Sequence, residues 1–292
     1  MDQLSRYKKQ AKLGEGTYGE VFRVQDTENN EILAMKKIQV ENDEEGIPGT
    51  AIREISLLRE LNHENVVKIR RVICQNRKVY IMFEHCEMDL RKFMNANDLS
   101  QKLVRELTKQ VMAGTNYCHI HRVMHRDLKP QNVLLNISGG QPICKLADFG
   151  LARSFGVPIR HYTHEIVTLW YRSPEVLLGS KLYSTAVDVW SIGCIMAELS
   201  TGEPLFQGRS EVEMLFEIFQ LRGTPTEDSW PGVSQLKDWR DTFPKLMGQS
   251  LQKRLRNSLS AQGFDLLEKL LEMDPGKRIP LSEAMSHKWF LE

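Results

Sequence analysis

The sequence predicts an α+β protein in which a small, sheet-rich lobe is followed by a larger, mainly helical lobe. Strand-like runs dominate the first 85 residues around a single helical pattern, and they cover 20–24, 31–38, 66–73 and 78–85. Helical patterns dominate after residue 90, and the clearest cover 102–121, 186–202, 210–223 and 263–274. No fixed-period repeat or low-complexity linker interrupts this order. We therefore expect the change from strands to helices to separate the lobes.

Composition points to an ordinary globular chain. The 292 residues are 41% hydrophobic and 26% charged, enough for one large or two ordinary domains. The formal net charge of +1 argues against binding to nucleic acid or membranes through overall charge. The five cysteines show no CxxC spacing, which predicts free thiols in a reducing compartment and no zinc site. The sequence has no 18-residue apolar stretch and no apolar signal core, so we expect a soluble intracellular protein.

The stretch GIPGTAIREISLLREL, residues 46–61, predicts a helix that begins near Thr50. One face of this helix gathers the apolar residues Ala51, Ile55, Leu57, Leu58 and Leu61. Glu54 falls inside this face, whereas Ile52 lies on its flank. A buried carboxylate needs a cation, and an outward isoleucine suits a partner surface. The ordinary alternative is a Glu54 that reaches solvent beside one exposed isoleucine, and this window alone favours that alternative.

The segment GEGTYGEV places Gly14, Gly16 and Gly19 in a GxGxxG pattern, which alone is weak evidence for a nucleotide site. A dinucleotide-binding version would open a helix directly after the glycines. Here a strand pattern, the turn-prone segment DTENNE and a second strand pattern follow, which predict a β-hairpin. Glycines in such a setting let backbone N–H groups approach phosphates closely, so we predict a phosphate-covering loop.

Lys36 is a candidate functional cation. The two-residue period of the strand EILAMKKI puts Ala34, Lys36 and Ile38 on one face, where a flat ring can lie beside the small Ala34. The ordinary alternative is a lysine in solvent, which is the usual position of lysines. The predicted burial of Glu54 favours a pair with Lys36, because each charge supplies what the other lacks.

The segment HRDLKPQN, between a long helical pattern and the short strand VLLN, carries Asp127, Lys129 and Asn132. Such a loop can position a carboxylate to accept a hydroxyl proton and an ammonium to neutralise a transferring phosphoryl group. The amide oxygen of Asn132 can bind a cation. The segment KLADFG adds Asp148 at the end of another strand, a carboxylate suited to hold Mg²⁺ against phosphate oxygens.

The order GEGTYGEV, AMKK, HRDLKPQN, DFG and SPE resembles the signature set of protein kinases over essentially the whole chain, and Lys129 is typical of the serine/threonine branch. PGTAIRE resembles the PSTAIRE helix of cell-cycle cyclin-dependent kinases, with Gly49 in place of the serine. THEIVTLWYRSPEVLLG resembles their activation segment. The resemblance implies a bilobal fold with an antiparallel sheet and one regulatory helix in the N-lobe. It implies a single kinase domain at 1–292, with the N-lobe at 1–84, the hinge at 85–90, and the C-lobe at 91–292 including the activation segment 148–175.

The resemblance also implies the roles of the catalytic residues. Glu54 would pair with Lys36, which holds the α- and β-phosphates of ATP. Asp127 would act as catalytic base or orient the attacking hydroxyl, and Lys129 would steady the γ-phosphate. The Mg²⁺ ligands would be Asn132 and Asp148.

An ATP site follows from the same resemblance. The adenine would lie between Leu13, Val21, Ala34 and Leu134, and the loop over the phosphates would comprise Gly14, Glu15, Gly16, Thr17, Tyr18 and Gly19. Phe83 would occupy the gatekeeper position. Backbone groups of Glu84 and Cys86 would bind the adenine edge, and Asp89 would lie near the ribose.

Control by phosphorylation is a further implication. Thr163 occupies the position of the activating phosphothreonine, and the arginines that would cradle its phosphate are Arg53, Arg126 and Arg153. The sequence alone favours three surface arginines with partners of their own, whereas the family position favours the cradle. Phosphate on Thr17 or Tyr18 would repel the phosphates of ATP, and the family uses these positions for inhibition.

Partners and substrates are implied in the same way. Ile52 corresponds to a residue that a cyclin covers, and Val167 with Arg172 would shape a pocket for proline after the phosphorylated Ser or Thr. Glu175 and Arg278 would form a buried ion pair that fixes the helical lobe. By the same resemblance, we expect that a small accessory subunit can bind the helical lobe. We also expect a location in cytoplasm and nucleus, because the sequence shows no targeting signal.

Two alternatives stay open. A proline-directed kinase without a cyclin, of the mitogen-activated type, would carry a TxY pair where this chain has HYT at 161–163, and PGTAIRE argues against it. A pseudokinase that acts as a scaffold would normally lack one of the residues Lys36, Asp127, Asn132 and Asp148, and this sequence contains all four.

Overall fold

The computed structural model describes residues 3–16, 19–39, 55, 58–75, 78–149, 169–180 and 184–292. They belong to two compact units, one drawn from 1–88 and 134–161 and the other from 89–133 and 162–292. Backbone hydrogen bonds join the two parts of the first unit. The N–H of Val67 donates to the carbonyl of Leu146 at 2.9 Å, and the N–H of Glu87 donates to the carbonyl of Leu135 at 3.0 Å. The strands after the HRDLKPQN motif therefore belong to the same unit as the main sheet.

A five-stranded antiparallel sheet forms most of the first unit. Its strands are β1 (Tyr7–Gly16), β2 (Gly19–Asp26), β3 (Ile32–Gln39), β4 (Ile69–Gln75) and β5 (Lys78–Glu84), in the order β1-β2-β3-β5-β4. The four strand patterns of the sequence overlap β2 to β5, which confirms these predictions. Hairpins connect consecutive strands of β1 to β3, as the glycine-rich and turn-prone segments predict.

The two faces of this sheet differ in chemistry because successive side chains alternate across a strand. One face packs into an apolar core that contains Tyr7, Val24, Leu33, Met35, Ile73 and Met82. The register puts Val21 opposite Lys36 and Ala34 opposite Phe83, so these four residues share the other face. The predicted common face of Ala34 and Lys36 is confirmed.

Part of the predicted helix in residues 46–61 lies within the described residues. Ile55 and residues 58–60 are helical, and Ile55, Leu58 and Leu61 are buried as the apolar stripe predicts. The other predicted members of this stripe, Ala51 and Leu57, lie outside the described residues.

A smaller three-stranded sheet has the order β6-β7-β8, with β6 at Met88–Asp89, β7 at Val133–Ser138 and β8 at Gln141–Leu146. The turn between β7 and β8 contains Gly139 and Gly140 with φ of +67° and +84°. Glycine adopts these left-handed values without steric cost, so the GG pair permits a tight hairpin.

The second unit is helical, as predicted. Its helices are α1 (Leu90–Ala96), α2 (Gln101–Ile120), α3 (Pro174–Leu177), α4 (Ala186–Thr201), α5 (Glu211–Arg222), α6 (Leu251–Arg254), α7 (Ala261–Leu270) and α8 (Leu281–Ala284). Serine side chains cap α2, α5 and α7, where Ser100, Ser210 and Ser260 accept backbone N–H groups of the first turn. Helix α4 is buried continuously from Ala186 to Leu199, which explains why apolar residues predominate in its sequence. Among the described residues, no helix combines the length and apolar character needed to cross a membrane.

Candidate active site

Asp127, Lys129 and Asn132 lie together in the loop that follows α2. The Nδ2 of Asn132 donates to the backbone carbonyl of Asp127 at 2.7 Å and to its Oδ2 at 2.9 Å. The Nζ of Lys129 lies 2.9 Å from the same Oδ2. Pro130 begins a short 3₁₀ turn at Pro130–Asn132, which brings the amide back to the carboxylate. The structure thus brings the three predicted side chains of this loop into one hydrogen-bonded cluster.

Asp188 binds the backbone of this loop, although no local pattern in the sequence marks it as a site residue. Its Oδ1 accepts the N–H of Arg126 at 2.8 Å, and its Oδ2 accepts the N–H of His125 at 2.9 Å. The Nε2 of His119 lies 2.8 Å from Oδ2. These bonds hold the backbone beside Asp127, where Arg126 adopts a φ of +68°. A left-handed conformation at a non-glycine residue persists when neighbouring contacts hold it, so Asp188 positions the loop that carries Asp127.

Acid is expected to weaken the contribution of Asp188 to stability. Burial acts to raise the pKa of Asp188, but hydrogen bonds and the charges of His119 and His125 outweigh it and hold this pKa below the usual value. Stabilisation by a carboxylate with a lowered pKa is complete above its unfolded pKa of about 4 and is lost as the pH falls through the folded pKa. Denaturant unfolding from pH 6 to pH 3 measures the unfolding free energies of the wild type and of Asp188→Asn. The wild type should exceed the variant by most near pH 6, and this difference should shrink below about pH 4. A gap independent of pH would contradict this role.

Lys36 and Asp148 form an ion pair within the first unit. Lys36 is only 5% exposed, so the solvent alternative for this lysine is wrong. Asp148 follows β8, has a φ of +60°, and leaves 48% of its side chain exposed. The sequence predicts a metal-binding role for Asp148 and a pair of Lys36 with Glu54, which lies outside the described residues. The contact between Lys36 and Asp148 was missed, because a local pattern carries no signal for a pair 112 residues apart.

The predicted adenine-binding residues lie in the first unit. Val21, Ala34 and Phe83 share the Lys36 face of the sheet, and each is half-buried. Leu134 on β7 is also half-buried, and Leu13 on β1 is 43% exposed. Phe83 also lines a small, mainly apolar cavity, together with Leu58, Val66, Val67, Ile69, Ala147, Asp148 and Phe149. This face offers an apolar surface of the kind that suits a flat ring beside a cation.

Glu84 ends β5, and Cys86 and Asp89, the other residues predicted to contact the adenine edge and the ribose, follow it. The N–H of Glu84 donates to the carbonyl of Lys68 at 3.0 Å, and Cys86 is half-buried. Burial raises the pKa of the Cys86 thiol to about 12, so this thiol stays protonated at neutral pH. Asp89 caps α1 by accepting the N–H of Lys92 at 2.8 Å.

Gly19, in the loop predicted to cover the phosphates, requires glycine more strictly than Gly14 does. Its φ is +135°, and an added Cβ would collide with the carbonyl oxygen of Lys37, whereas Gly14 has nothing within 4 Å of its Cβ position. Gly19→Ala is expected to cost about 1–3 kcal/mol of stability and to raise the KM for ATP. The matched control Gly14→Ala should stay within about 0.5 kcal/mol of the wild type. Thermal unfolding and ATP titration compare Gly19→Ala with Gly14→Ala. Equal losses of stability and of ATP affinity in the two variants would contradict the special requirement for glycine at position 19.

Several predicted residues lie outside the described residues: Thr17, Tyr18, Ile52, Arg53, Glu54, Arg153, Thr163 and Val167. Glu15 is described, and its Oε2 lies 2.6 Å from the Nζ of Lys12. Arg126 is exposed, and Arg172 pairs with Glu211 at 3.0 Å.

The predicted ion pair between Glu175 and Arg278 is confirmed. It is bidentate, with Nη1 to Oε1 at 2.8 Å and Nη2 to Oε2 at 3.0 Å, and both side chains are buried. Arg278 also donates to the carbonyl oxygens of Ala186 and Glu272 at 2.7 and 2.9 Å. The guanidinium therefore joins three separate segments of the second unit.

The sheet unit carries Lys36 and Asp148, and the helical unit carries the Asp127 cluster, and these are residue types that phosphoryl transfer from ATP uses. A family model described as the protein kinase domain matches residues 7–290, and the chain belongs to this family. The α+β fold class is thereby confirmed. Members of this family transfer a phosphoryl group from ATP to protein substrates with the help of a divalent metal ion.

Asn132 in the second unit and Asp148 in the first unit each carry an oxygen of the kind that such a metal ion binds. Both hydrogen bonds of Asn132 to Asp127 use Nδ2, which directs the amide oxygen of Asn132 away from that carboxylate. The carboxylate of Asp148 is half exposed. Amide and carboxylate oxygens are the ligands that hard divalent cations prefer, with phosphate oxygens completing the shell.

Proposed function

We propose that this protein is a serine/threonine kinase that transfers the γ-phosphoryl group of MgATP to Ser/Thr-Pro sites. The observation that carries the proposal is the cluster of Asp127, Lys129 and Asn132. Lys129 is typical of kinases that act on Ser and Thr, and it contacts Asp127, the residue expected to meet the substrate hydroxyl.

The mechanism assigns one task to each of these side chains. Lys129 and Asn132 both donate to Oδ2 of Asp127, so we expect its Oδ1 to accept the hydrogen of the substrate hydroxyl. Lys129 stabilises the negative charge that develops on the transferring group. Asn132 and Asp148 would hold Mg²⁺, which neutralises the phosphate oxygens, and Lys36 would orient the α- and β-phosphates.

We further propose that a cyclin and phosphorylation of Thr163 activate the protein in the control of the cell cycle. The support is the likeness of PGTAIRE to the PSTAIRE helix, with Ile52 as the cyclin contact and Glu54 as a second partner of Lys36. Phosphate on Thr163 would gather Arg53, Arg126 and Arg153 into one network. A small accessory subunit, action in cytoplasm and nucleus, and inhibition through Thr17 and Tyr18 belong to the same proposal.

Matched peptides test the substrate class. A basic peptide with Ser-Pro is compared with the same peptide carrying Ser-Ala, Thr-Pro or Tyr-Pro, with the protein bound to a cyclin. We expect transfer to Ser-Pro and Thr-Pro, a loss of about tenfold or more with Ser-Ala, and no transfer to Tyr-Pro. Equal transfer to Ser-Pro and Ser-Ala would contradict the proline preference, and transfer to Tyr-Pro would contradict the Ser/Thr class.

A further inference from the structure

Glu84, at the end of β5, is held by two other segments of its own unit. Its Oε1 accepts the backbone N–H of Lys68 at 2.8 Å and the ammonium of Lys145 at 3.0 Å. The N–H of Glu84 donates in return to the carbonyl of Lys68. The side chains of Glu84 and Lys145 are 16% and 13% exposed, so water screens their ion pair only weakly. Glu84 is therefore anchored through both its backbone and its carboxylate.

Lys145 lies on β8 and has a second fixed contact. Its Nζ donates to the carbonyl of Glu64 at 3.0 Å. Backbone and side-chain bonds hold β8 to this same segment, because Leu146 donates to the carbonyl of Asn65 and the Nδ2 of Asn65 donates to the carbonyl of Cys144, both at 2.9 Å. A lysine with two acceptors on a rigid strand loses both contacts if it moves, so it can hold Glu84 in one orientation.

We propose that Lys145 is a positioning residue for adenine recognition. It holds the Glu84 carboxylate and thereby orients the Glu84 carbonyl toward the 6-amino group of ATP. This inference rests on the proposed function, in which the backbone of Glu84 binds the adenine edge. Because the N–H of Glu84 already donates to the carbonyl of Lys68, the proposal assigns the adenine contact of Glu84 to its own carbonyl.

This role has a specific consequence for base preference. A carbonyl accepts a hydrogen bond from the amino group of adenine, but it faces another acceptor at the 6-oxygen of hypoxanthine. A well-oriented Glu84 carbonyl should therefore favour ATP over inosine triphosphate. Loss of its orientation should weaken ATP binding and reduce this preference at the same time.

Calorimetric titration of the full chain with ATP and with inosine triphosphate tests this without requiring turnover. Lys145→Met is expected to weaken ATP binding about fivefold to tenfold and to lower the ATP preference by a similar factor. Lys145→Arg, which keeps the charge, should recover most of both. Lys102→Met, which removes an exposed lysine 3.9 Å from Glu106 on α2, serves as the control and should change neither.

Glu84→Gln provides a second variant if Lys145→Met does not fold. It keeps the shape and one acceptor oxygen but removes the charge, so it should shift the preference in the same direction by less. An unchanged preference in a folded Lys145 or Glu84 variant would overturn the inference. A higher rate of phosphoryl transfer by Lys145→Met than by the wild type would also overturn the inference. Such a result would mean that the ion pair of Glu84 and Lys145 restrains the enzyme and does not support adenine binding. A wild type without preference for ATP would overturn the adenine contact of Glu84, whereas absence of protein phosphorylation with intact preference would overturn only the proposed function.

Discussion

Replacing Asp127 with Asn is expected to lower kcat for phosphoryl transfer about 10³-fold. The substitution keeps the shape of the side chain and allows the Nδ2 of Asn132, now 2.9 Å from Oδ2, to keep an oxygen acceptor. It removes the negative charge that the ammonium of Lys129 contacts and that a substrate hydroxyl would meet. Steady-state kinetics with a Ser-Pro peptide give the change in kcat, and ADP titration shows whether the nucleotide still binds.

The nucleotide affinity and the unfolding midpoint of this variant should stay close to those of the wild type. Asp228→Asn is the matched control, since Asp228 is exposed on the second unit and the same chemical change there should leave kcat unaltered. A tenfold or smaller loss in kcat for Asp127→Asn would remove Asp127 from its catalytic role.

Removing Arg278 is expected to cost about 3–5 kcal/mol of stability, because it leaves the carboxylate of Glu175 buried without a cation. The guanidinium is fully buried in a bidentate pair, and it also supplies donors to two backbone carbonyls. Arg278→Met keeps much of the side-chain volume, so the lost charge and hydrogen bonds dominate the effect. Denaturant unfolding measures the difference in free energy.

The double variant Glu175→Gln with Arg278→Met distinguishes charge from packing. It removes the stranded charge and should recover part of the stability that Arg278→Met loses. Lys102→Met removes one member of an exposed ion pair and should change the unfolding free energy by no more than about 0.5 kcal/mol. Additive losses in the double variant would show that the two residues act independently.

Local patterns in the sequence predicted the elements and much of the site. Strand alternation placed Ala34 and Lys36 on one face, and the register of β2, β3 and β5 confirms it. The HRDLKPQN motif predicted one loop that carries a carboxylate, an ammonium and an amide, and in the structure Lys129 and Asn132 both contact Asp127. These features depend on residues close in sequence, so local periodicity and turn chemistry suffice to predict them.

The contacts that the sequence did not predict join residues far apart along the chain. Asp188 lies in the first turn of the mainly apolar helix α4, where an acidic residue is ordinary, and its partners include backbone groups more than 60 residues earlier. The pair of Glu84 and Lys145 spans 61 residues. Backbone donors and distant ion pairs leave no periodic signal, so only the folded structure shows them.

The most direct test is phosphoryl transfer from MgATP to a Ser-Pro peptide with basic residues after the proline. The chain is assayed alone and with a panel of cyclins, with unmodified and phosphorylated Thr163, and Asp127→Asn as the blank. We predict little transfer by the chain alone, and a rise of about a hundredfold or more when a cyclin and the Thr163 phosphate are both present. Equal transfer without a cyclin would remove the cyclin from the mechanism, and no transfer under any condition would contradict the kinase activity itself.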